Sequence, residues 1–224
     1  MFLLIDKPKN TTSHDVVDQI RKITGVRKVG HAGTLDPNAT GLLIVGVGRT
    51  STKQLGDLTT KTKKTYIAEI TLGEERDTDD TEGITSYKLQ DTSYKPNVNK
   101  VKNTLEKFDG EQEQTPPAYS AIKLRGKKAY EMARRGESPE LKPRKVTVYR
   151  ANLLSYKYPR LEVEFEVSSG TYIRSLARDI GRSLKTYGYL SGLQRTKIGK
   201  YSLDQAVSLD HLNKNNWDNN TVEL

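Results

Sequence analysis

Residues 146–167, VTVYRANLLSYKYPRLEVEFEV, contain the clearest secondary-structure pattern in this chain. From Leu161 to Val167, apolar residues alternate with three glutamates, as in a strand with one buried and one solvent-facing side. The apolar residues at 146–154 predict another strand just before it. Two strands that follow one another so closely favour an antiparallel sheet.

Further elements are predicted on both sides of this pair. The predicted strands are 2–5, 42–47 and 64–72. The predicted helices are 13–23 with Ser13 as N-cap, 98–108, and a third that begins at Thr171 as N-cap. Strands come in adjacent pairs broken by helices, without βαβ alternation. We therefore expect an α+β fold with a largely antiparallel mixed central sheet flanked by helices and loops. The Asn-rich residues 213–224 are expected to form a frayed C-terminal tail.

The charge of the chain indicates a polyanionic partner. Its 224 residues carry 37 Lys and Arg against 28 Asp and Glu, a formal net charge of +9. Residues 114–144, here called the basic segment, hold eight Lys or Arg against three Glu, with tyrosines interleaved. Such a charge excess fits a nucleic acid, because neutralising phosphates releases counterions. Charge alone fits equally well a basic protein with no special partner.

Several classes of site and location are not supported by the residues. There is no cysteine, and the three histidines are far apart, so neither a thiolate nucleophile nor a metal cluster is expected. No phosphate-binding P-loop, dinucleotide fingerprint or EF-hand is complete, and the acidic run 74–82 is expected to be a solvated loop. No signal peptide or membrane span is present, so we expect a cytoplasmic protein without metal, cofactor or membrane partner.

The segment 30–41, GHAGTLDPNATG, places one carboxylate, Asp36, among small residues. One interpretation is purely structural: Asp36 caps a single helical turn, Pro37 occupies its first position and Gly41 ends it. The other is functional, because the glycines leave room for a ligand and Pro37 restricts the backbone of Asp36. The residues alone favour the structural interpretation.

Two further residues are candidates for chemistry. Arg174 falls in the first turn of the third predicted helix, where a cation opposes the helix dipole and needs an anion nearby. Asp36 could be that anion, although an ordinary surface arginine is the simpler interpretation. Tyr66 lies on the apolar face of the strand 64–72, where a core tyrosine is the default.

The order of short motifs along the chain resembles the TruB-type pseudouridine synthases, a family that includes the dyskerin-like enzymes. The decisive match is GTLDPNATGLL at 33–43, and it is supported by LIDKP at 4–8, KTY at 64–66, QTPPAYSAIK at 114–123, GTYIRSL at 170–176 and LQRT at 193–196. These motifs extend over nearly the whole chain. Their compatible spacing makes a chance match implausible.

The resemblance implies a catalytic role for Asp36, stacking of Tyr66 on the target base and pairing of Arg174 with Asp36. It also implies that Leu193 lines the base pocket, that His31 enters the space left by the flipped nucleotide, and that Asp6 and Lys7 support the site. Further RNA contacts are expected from the basic segment as a thumb-like insertion and from one lysine beside Tyr66: Lys64, Lys123, Arg125, Lys127 and Lys128. The implied reaction converts uridine 55 in the T-loop of tRNA to pseudouridine, without metal or cofactor.

The resemblance also implies a domain organisation and an oligomeric state. Residues 1–212 would form the catalytic domain, with no RNA-binding domain of the PUA type after it, and the protein would act as a monomer on the T-arm of tRNA. A protein that binds or folds RNA without chemistry is the alternative. The presence of Asp36, Tyr66 and Arg174 together argues against it.

Overall fold

The computed structural model describes residues 1–91, 93–124 and 126–223. Its strands are β1 Phe2–Lys7, β2 Val29–Ala32, β3 Thr40–Val47, β4 Lys64–Leu72, β5 Glu74–Arg76, β6 Thr85–Lys88, β7 Gly110–Gln114, β8 Lys123–Leu124, β9 Lys127–Lys128, β10 Arg144–Lys157, β11 Arg160–Val167, β12 Gly188–Ile198, β13 Tyr201–Ser202, β14 Val207–Ser208 and β15 Thr221–Val222. Its helices are α1 Ser13–Thr24, α2 Arg49–Lys61, α3 Val98–Glu106, α4 Ala129–Ala133 and α5 Ile173–Ser183, with short 3₁₀ turns at Leu203–Gln205, Leu209–His211 and Asp218–Asn220. This mixed α+β fold, with a large mixed sheet flanked by helices, confirms the expected fold class.

The chain divides into two compact units. Unit 1 comprises Met1–Ile67 with Gly192–Leu224, and unit 2 comprises Ala68–Ser191. Strands β4 and β12 each contribute residues to both units.

The sheet of unit 1 runs in the order β14-β1-β3-β12. β1 pairs antiparallel with β3, whereas β12 joins the start of β3 in parallel, with Arg195 opposite Gly41. β2 pairs antiparallel with the far end of β3. Residues 33–39, which connect β2 to β3, therefore enter the sheet at the start of β3, where β12 pairs with Thr40 and Gly41.

The core of unit 1 follows from the two-residue period of its strands. One face of the sheet packs against α1 and the other against α2, so the apolar residues of β1 and β3 divide between two clusters. The first cluster holds Leu3, Ile5, Leu43 and Val45 with Val16, Val17 and Ile20, and the second holds Phe2, Leu4, Leu42 and Ile44 with Leu55. Burial on both faces explains why residues 42–47 are apolar without alternation.

Unit 2 has the strand order β4-β11-β10-β7. β10 pairs antiparallel with β11, as the opening motif predicts, and its other edge pairs antiparallel with β7. The four apolar residues of the alternating stretch are buried and its glutamates are half-buried. In the basic segment, β8 and β9 form a small hairpin that leads into α4.

Three local predictions need correction. The N-cap of α1 is Thr12 rather than Ser13, because the Thr12 hydroxyl accepts the Asp15 N–H (3.0 Å) and the Asp15 carboxylate accepts the Thr12 N–H (2.9 Å). The N-cap of α5 is Tyr172 rather than Thr171, whose hydroxyl instead donates to the Ser168 carbonyl (2.9 Å). Residues 213–223 are not frayed, since β15 pairs with β1, which supplies hydrogen bonds that the composition does not reveal. No helix in the described part of the chain is long and apolar enough to cross a membrane.

Candidate functional site

Asp36 lies in the loop between β2 and β3, residues 33–39, here called the Asp36 loop. The Ala39 N–H donates to the Asp36 carbonyl (3.0 Å), which closes a four-residue turn with Pro37 in its second position. The structural interpretation of a helical turn that ends at Gly41 is therefore wrong: the turn spans residues 36–39, and Gly41 belongs to β3. Asp36 itself is half-buried.

Two side chains from the first 13 residues hold this loop. The Ser13 hydroxyl accepts the Leu35 N–H (2.9 Å) and donates to the Leu35 carbonyl (3.2 Å). Lys7 is fully buried, and its ammonium group donates to the carbonyls of Pro8 (2.9 Å), Thr11 (2.6 Å) and Pro37 (3.3 Å). Burial lowers the pKa of Lys7 to about 8, a shift that the Asp36 carboxylate opposes. Lys7 thus contacts the loop at Pro37, while the half-buried Asp6 lies beside it on β1, opposite Leu42. That both residues support an active site stays a prediction.

A buried arginine that the sequence interpretation missed completes the support of the loop. Arg195 of β12 is 1% exposed, and its guanidinium donates to the carbonyls of Leu42 (2.8 Å) and Gly33 (3.0 Å). Its only signal in the sequence was its place within the LQRT motif. A cation in a short polar stretch is otherwise taken for a surface residue.

Lys64 and Tyr66 point to the same buried face of β4. The Lys64 ammonium donates to the carbonyls of Thr59 (2.9 Å) and Thr62 (3.2 Å), which satisfies the end of α2. Burial and, secondarily, the positive charge of Arg195 lower the pKa of Lys64 to about 8. The structure thus shows Lys64 capping a helix, and its contact with RNA stays a prediction. Tyr66 is 8% exposed.

His31 and Leu193 lie on the strands that border the Asp36 loop. His31 of β2 stands opposite Val45, and its buried Nδ1 has no hydrogen-bond partner within the described ranges. Burial, followed by Arg195 and His14, lowers the pKa of His31, so its imidazole is neutral near pH 7. The Leu193 carbonyl accepts the Thr40 hydroxyl (3.4 Å) at the start of β3.

In unit 2, Arg174 occupies the first turn of α5, as predicted. It donates to the Asp80 carboxylate (3.2 Å) and to the carbonyls of Thr78 (3.3 Å) and Tyr119 (3.2 Å). A cation in this position was expected to need an anion, and within unit 2 that anion is Asp80. The pairing of Arg174 with Asp36 stays a prediction.

The expectation that residues 74–82 form a solvated acidic loop is wrong, because two of its carboxylates are buried against further arginines of α5. Arg178 pairs with Asp79 (2.8 Å) and Arg182 pairs with Glu75 (2.5 Å), and both carboxylates are 4% exposed. Burial raises the pKa of Asp79 to about 6, against the opposing effect of Arg178. The signal was present as arginines four residues apart, which lie on one helix face.

The first two residues of the basic segment, Gln114 and Thr115, form hydrogen bonds with the first turn of α5 and its N-cap. The Gln114 side chain accepts the Tyr172 N–H (2.8 Å) and donates to the Tyr172 carbonyl (3.1 Å). The Thr115 carbonyl accepts the Ser175 hydroxyl (2.9 Å). Further along the segment, the β8–β9 hairpin pairs Lys123 with Lys128. Lys123 and Lys127 are exposed. Arg125, the fourth predicted phosphate contact, lies outside the described residues.

Within residues 1–91, 93–124 and 126–223, the His, Asp and Glu side chains nowhere form a group of three that could hold a metal ion.

Comparison with known proteins identifies relatives across the full chain. Residues 21–173 match the model of the TruB family pseudouridylate synthase N-terminal domain, and residues 174–224 match that of the tRNA pseudouridylate synthase B C-terminal domain. The tRNA pseudouridine synthase B of Mycobacterium bovis is 45% identical over 216 residues, which cover 94% of this chain and 71% of the relative. That of Corynebacterium diphtheriae is 44% identical over 224 residues, covering 96% and 72%.

Two solved structures have a similar fold over nearly the whole of this chain. A chain in the crystal structure of a Cbf5–Nop10–Gar1 complex superimposes with a TM-score of 0.72 and 26% identity. A chain of an H/ACA ribonucleoprotein bound to a substrate RNA gives 0.70 and 25%. Each match covers 99% of this chain, which spans 56% of the length of those chains.

Proposed function

The chain belongs to the TruB family of pseudouridylate synthases, and we propose that it converts uridine 55 in the T-loop of tRNA to pseudouridine, with Asp36 as the catalytic carboxylate. The tRNA substrate follows from the relatives, which are tRNA pseudouridine synthases over 94% or more of this chain. The observation that supports Asp36 is its turn, which unit 1 holds from several sides through Ser13, Lys7 and Arg195.

The reaction is an isomerisation and needs no external reactant. The bond between N1 of uracil and C1′ of ribose breaks, the base turns, and C5 bonds to C1′. C5 then loses its proton and N1 gains one, so the atoms balance. One anionic group at C1′ can assist both the cleavage and the reattachment. Asp36 suits this task because Pro37 restricts its backbone to extended conformations, so its carboxylate is held in one place.

The neighbouring residues suit the handling of a flipped base. Tyr66 offers an aromatic ring for stacking and Leu193 an apolar wall, while the neutral imidazole of His31 can replace the stacking that the nucleotide loses. Flipping costs a few kcal/mol, and less in a loop than in a duplex, so a T-loop uridine is a favourable target. Arg174 would pair with Asp36 and orient its carboxylate.

The basic segment would supply the contact with the T-arm. A structured RNA hairpin is recognised mainly by its shape and its phosphates, which suits the exposed Lys123 and Lys127. Gln114 and Thr115, at the start of the basic segment, are hydrogen-bonded to the N-cap and first turn of α5, the helix that carries Arg174. Closure of the segment on RNA would therefore be transmitted to that helix.

Asp36→Asn is the decisive test. The substitution removes the charge and keeps the shape of the side chain, so tRNA binding should persist while pseudouridine formation is lost. The assay maps pseudouridine in an unmodified tRNA transcript and, as a position control, in a transcript with cytidine at position 55. Asp57→Asn is the matched protein control, since Asp57 is an exposed carboxylate of α2.

Turnover by Asp36→Asn at a rate near that of the wild type would refute the assignment. Pseudouridine at another position of the transcript would refute the T-loop target. A wild-type protein that binds the transcript without modifying it would support the alternative of an RNA-binding or RNA-folding protein.

A further inference from the structure

Arg195 is a buried cation with an unusual set of partners. Its side chain is 1% exposed, and its hydrogen bonds go to the carbonyls of Leu42 and Gly33. Within the described ranges no carboxylate pairs with it. Burying a charge without a counter-ion is costly, and backbone carbonyls compensate only part of that cost.

The two carbonyls lie on either side of Asp36. Gly33 opens the Asp36 loop, and Leu42 follows the loop in β3. The planar guanidinium spans both, with Nη2 3.0 Å from the Gly33 oxygen and Nε 2.8 Å from the Leu42 oxygen. One rigid group thus fixes the distance between the two ends of the loop.

The glycines at these ends allow the close approach. A Cβ added to Gly41 would overlap the backbone of Arg195, and Gly41 has a φ of +98°. At Gly33, where φ is +74°, an added Cβ would lie 3.3 Å from Nη1 of Arg195. The glycines of the GTLDPNATG motif therefore fit the loop closely around this arginine.

We propose that Arg195 is a positioning residue for the isomerisation: its guanidinium clamps Gly33 to Leu42 and so holds the carboxylate of Asp36 at the reacting C1′. The proposal rests on the proposed function of Asp36. Arg195 does not touch the nucleotide, and it acts through the backbone of the loop.

Electrostatics supports the same assignment. Burial is the main cause of the lowered pKa of Lys64 and of His31, and the charge of Arg195 is the second cause in both cases, so this charge acts on residues of β4 and β2. It also contributes to the lowered pKa of Lys7, after burial and against the effect of Asp36.

Arg195→Lys is the principal test. Lysine keeps the positive charge and one hydrogen bond, but its single ammonium group cannot span both carbonyls as the fork does. The measurement is the single-turnover rate constant with protein in saturating excess over tRNA, which does not depend on the fraction of folded protein. We expect this constant to fall by about 10- to 100-fold, because a displacement of about 1 Å has effects of that size. The dissociation constant for tRNA should change by less than about twofold, and Arg195→Met should be slower still.

Lys197→Met is the matched control, since Lys197 is an exposed cation two residues along β12. It should react within about twofold of the wild type. An Arg195→Lys rate equal to that of the wild type would overturn the proposal, and so would an equal loss in Lys197→Met.

Amide hydrogen exchange separates this proposal from the proposed function. Peptides that cover residues 33–42 should lose protection in Arg195→Lys and in Arg195→Met, but not in Lys197→Met. This readout needs no activity. A wild-type protein that makes no pseudouridine refutes the proposed function, while unchanged exchange of residues 33–42 refutes the clamp.

Discussion

Replacing Lys123, Lys127 and Lys128 with alanine should weaken tRNA binding and make it less sensitive to salt. The β8–β9 hairpin presents these three lysines within two short paired strands. Lys123 and Lys127 are exposed and free to meet phosphates. Lys128 is half-buried and donates to the Tyr130 hydroxyl (3.3 Å), a bond that a phosphate would have to replace. Two or three phosphate contacts are therefore expected.

The magnitude follows from counterion release. Each contact with a duplex phosphate contributes about 0.9 to the slope of log affinity against log salt, so the triple variant should lose about 1.8 to 2.7 of that slope. Between about 50 and 200 mM salt, the wild type should then lose about 10- to 40-fold more affinity than the variant. The rate constant at saturating tRNA should change much less, because Asp36 is untouched.

The assay is a series of binding isotherms at several salt concentrations with an unmodified tRNA transcript. The control is the triple alanine variant of Lys102, Lys107 and Lys157, which removes the same charge from exposed positions outside the basic segment. Equal slopes for the wild type and the hairpin variant would refute the reasoning. An equal change in the control would assign the effect to net charge rather than to contacts.

Three further outcomes are expected. Activity on pre-folded tRNA at fixed ionic strength should survive excess chelator, and a rate that vanishes would contradict a metal-independent mechanism. Because the pKa of Asp79 is raised to about 6 from 3.8, the folded state binds more protons than the unfolded chain between these values, so the free energy of unfolding should fall as pH rises through this window. Asp79→Asn should remove this component, up to about 1 kcal/mol per pH unit, and parallel stability curves from urea denaturation at pH 4 to 7 would argue against it. Gln114→Ala leaves the backbone N–H of Tyr172 unpaired and removes one of the two donors to the Tyr172 carbonyl, which keeps the Leu176 N–H (3.2 Å). It should cost about 1–3 kcal/mol in denaturant unfolding, whereas the exposed Glu113→Ala should change stability by less than about 0.5 kcal/mol.

Elements with a clear local pattern were predictable from the sequence. The alternation in β11, the alternation in β4 and the apolar face of α1 each identify an element and its buried side, because both depend on residues that are neighbours in the chain. The family was also recognisable from the sequence, since its motifs are local strings in a fixed order. The matches to the two family models and the relatives that cover 94% or more of the chain confirm that identification.

Elements without such a pattern were missed. Helix α2, with the sequence RTSTKQLGDLTTK, has few apolar residues and a glycine N-cap that makes no side-chain hydrogen bond. Strand β12 mixes glycines, polar residues and cations, and its assignment as a strand depends on pairing with the distant β3. Local propensity is weak at both, so tertiary packing decides.

The motifs of the sequence identified Asp36 as the candidate carboxylate, and the motifs together with the net charge indicated an RNA partner. Only the tertiary structure decided which charges are buried. Arg195 and Asp79 resemble surface residues in the sequence, yet each is taken out of water and held by partners that are distant in the chain. Arg195 and the Leu42 carbonyl are 153 residues apart. A charge can be buried only where such partners converge on it, and that convergence is a property of the fold and not of the neighbouring residues.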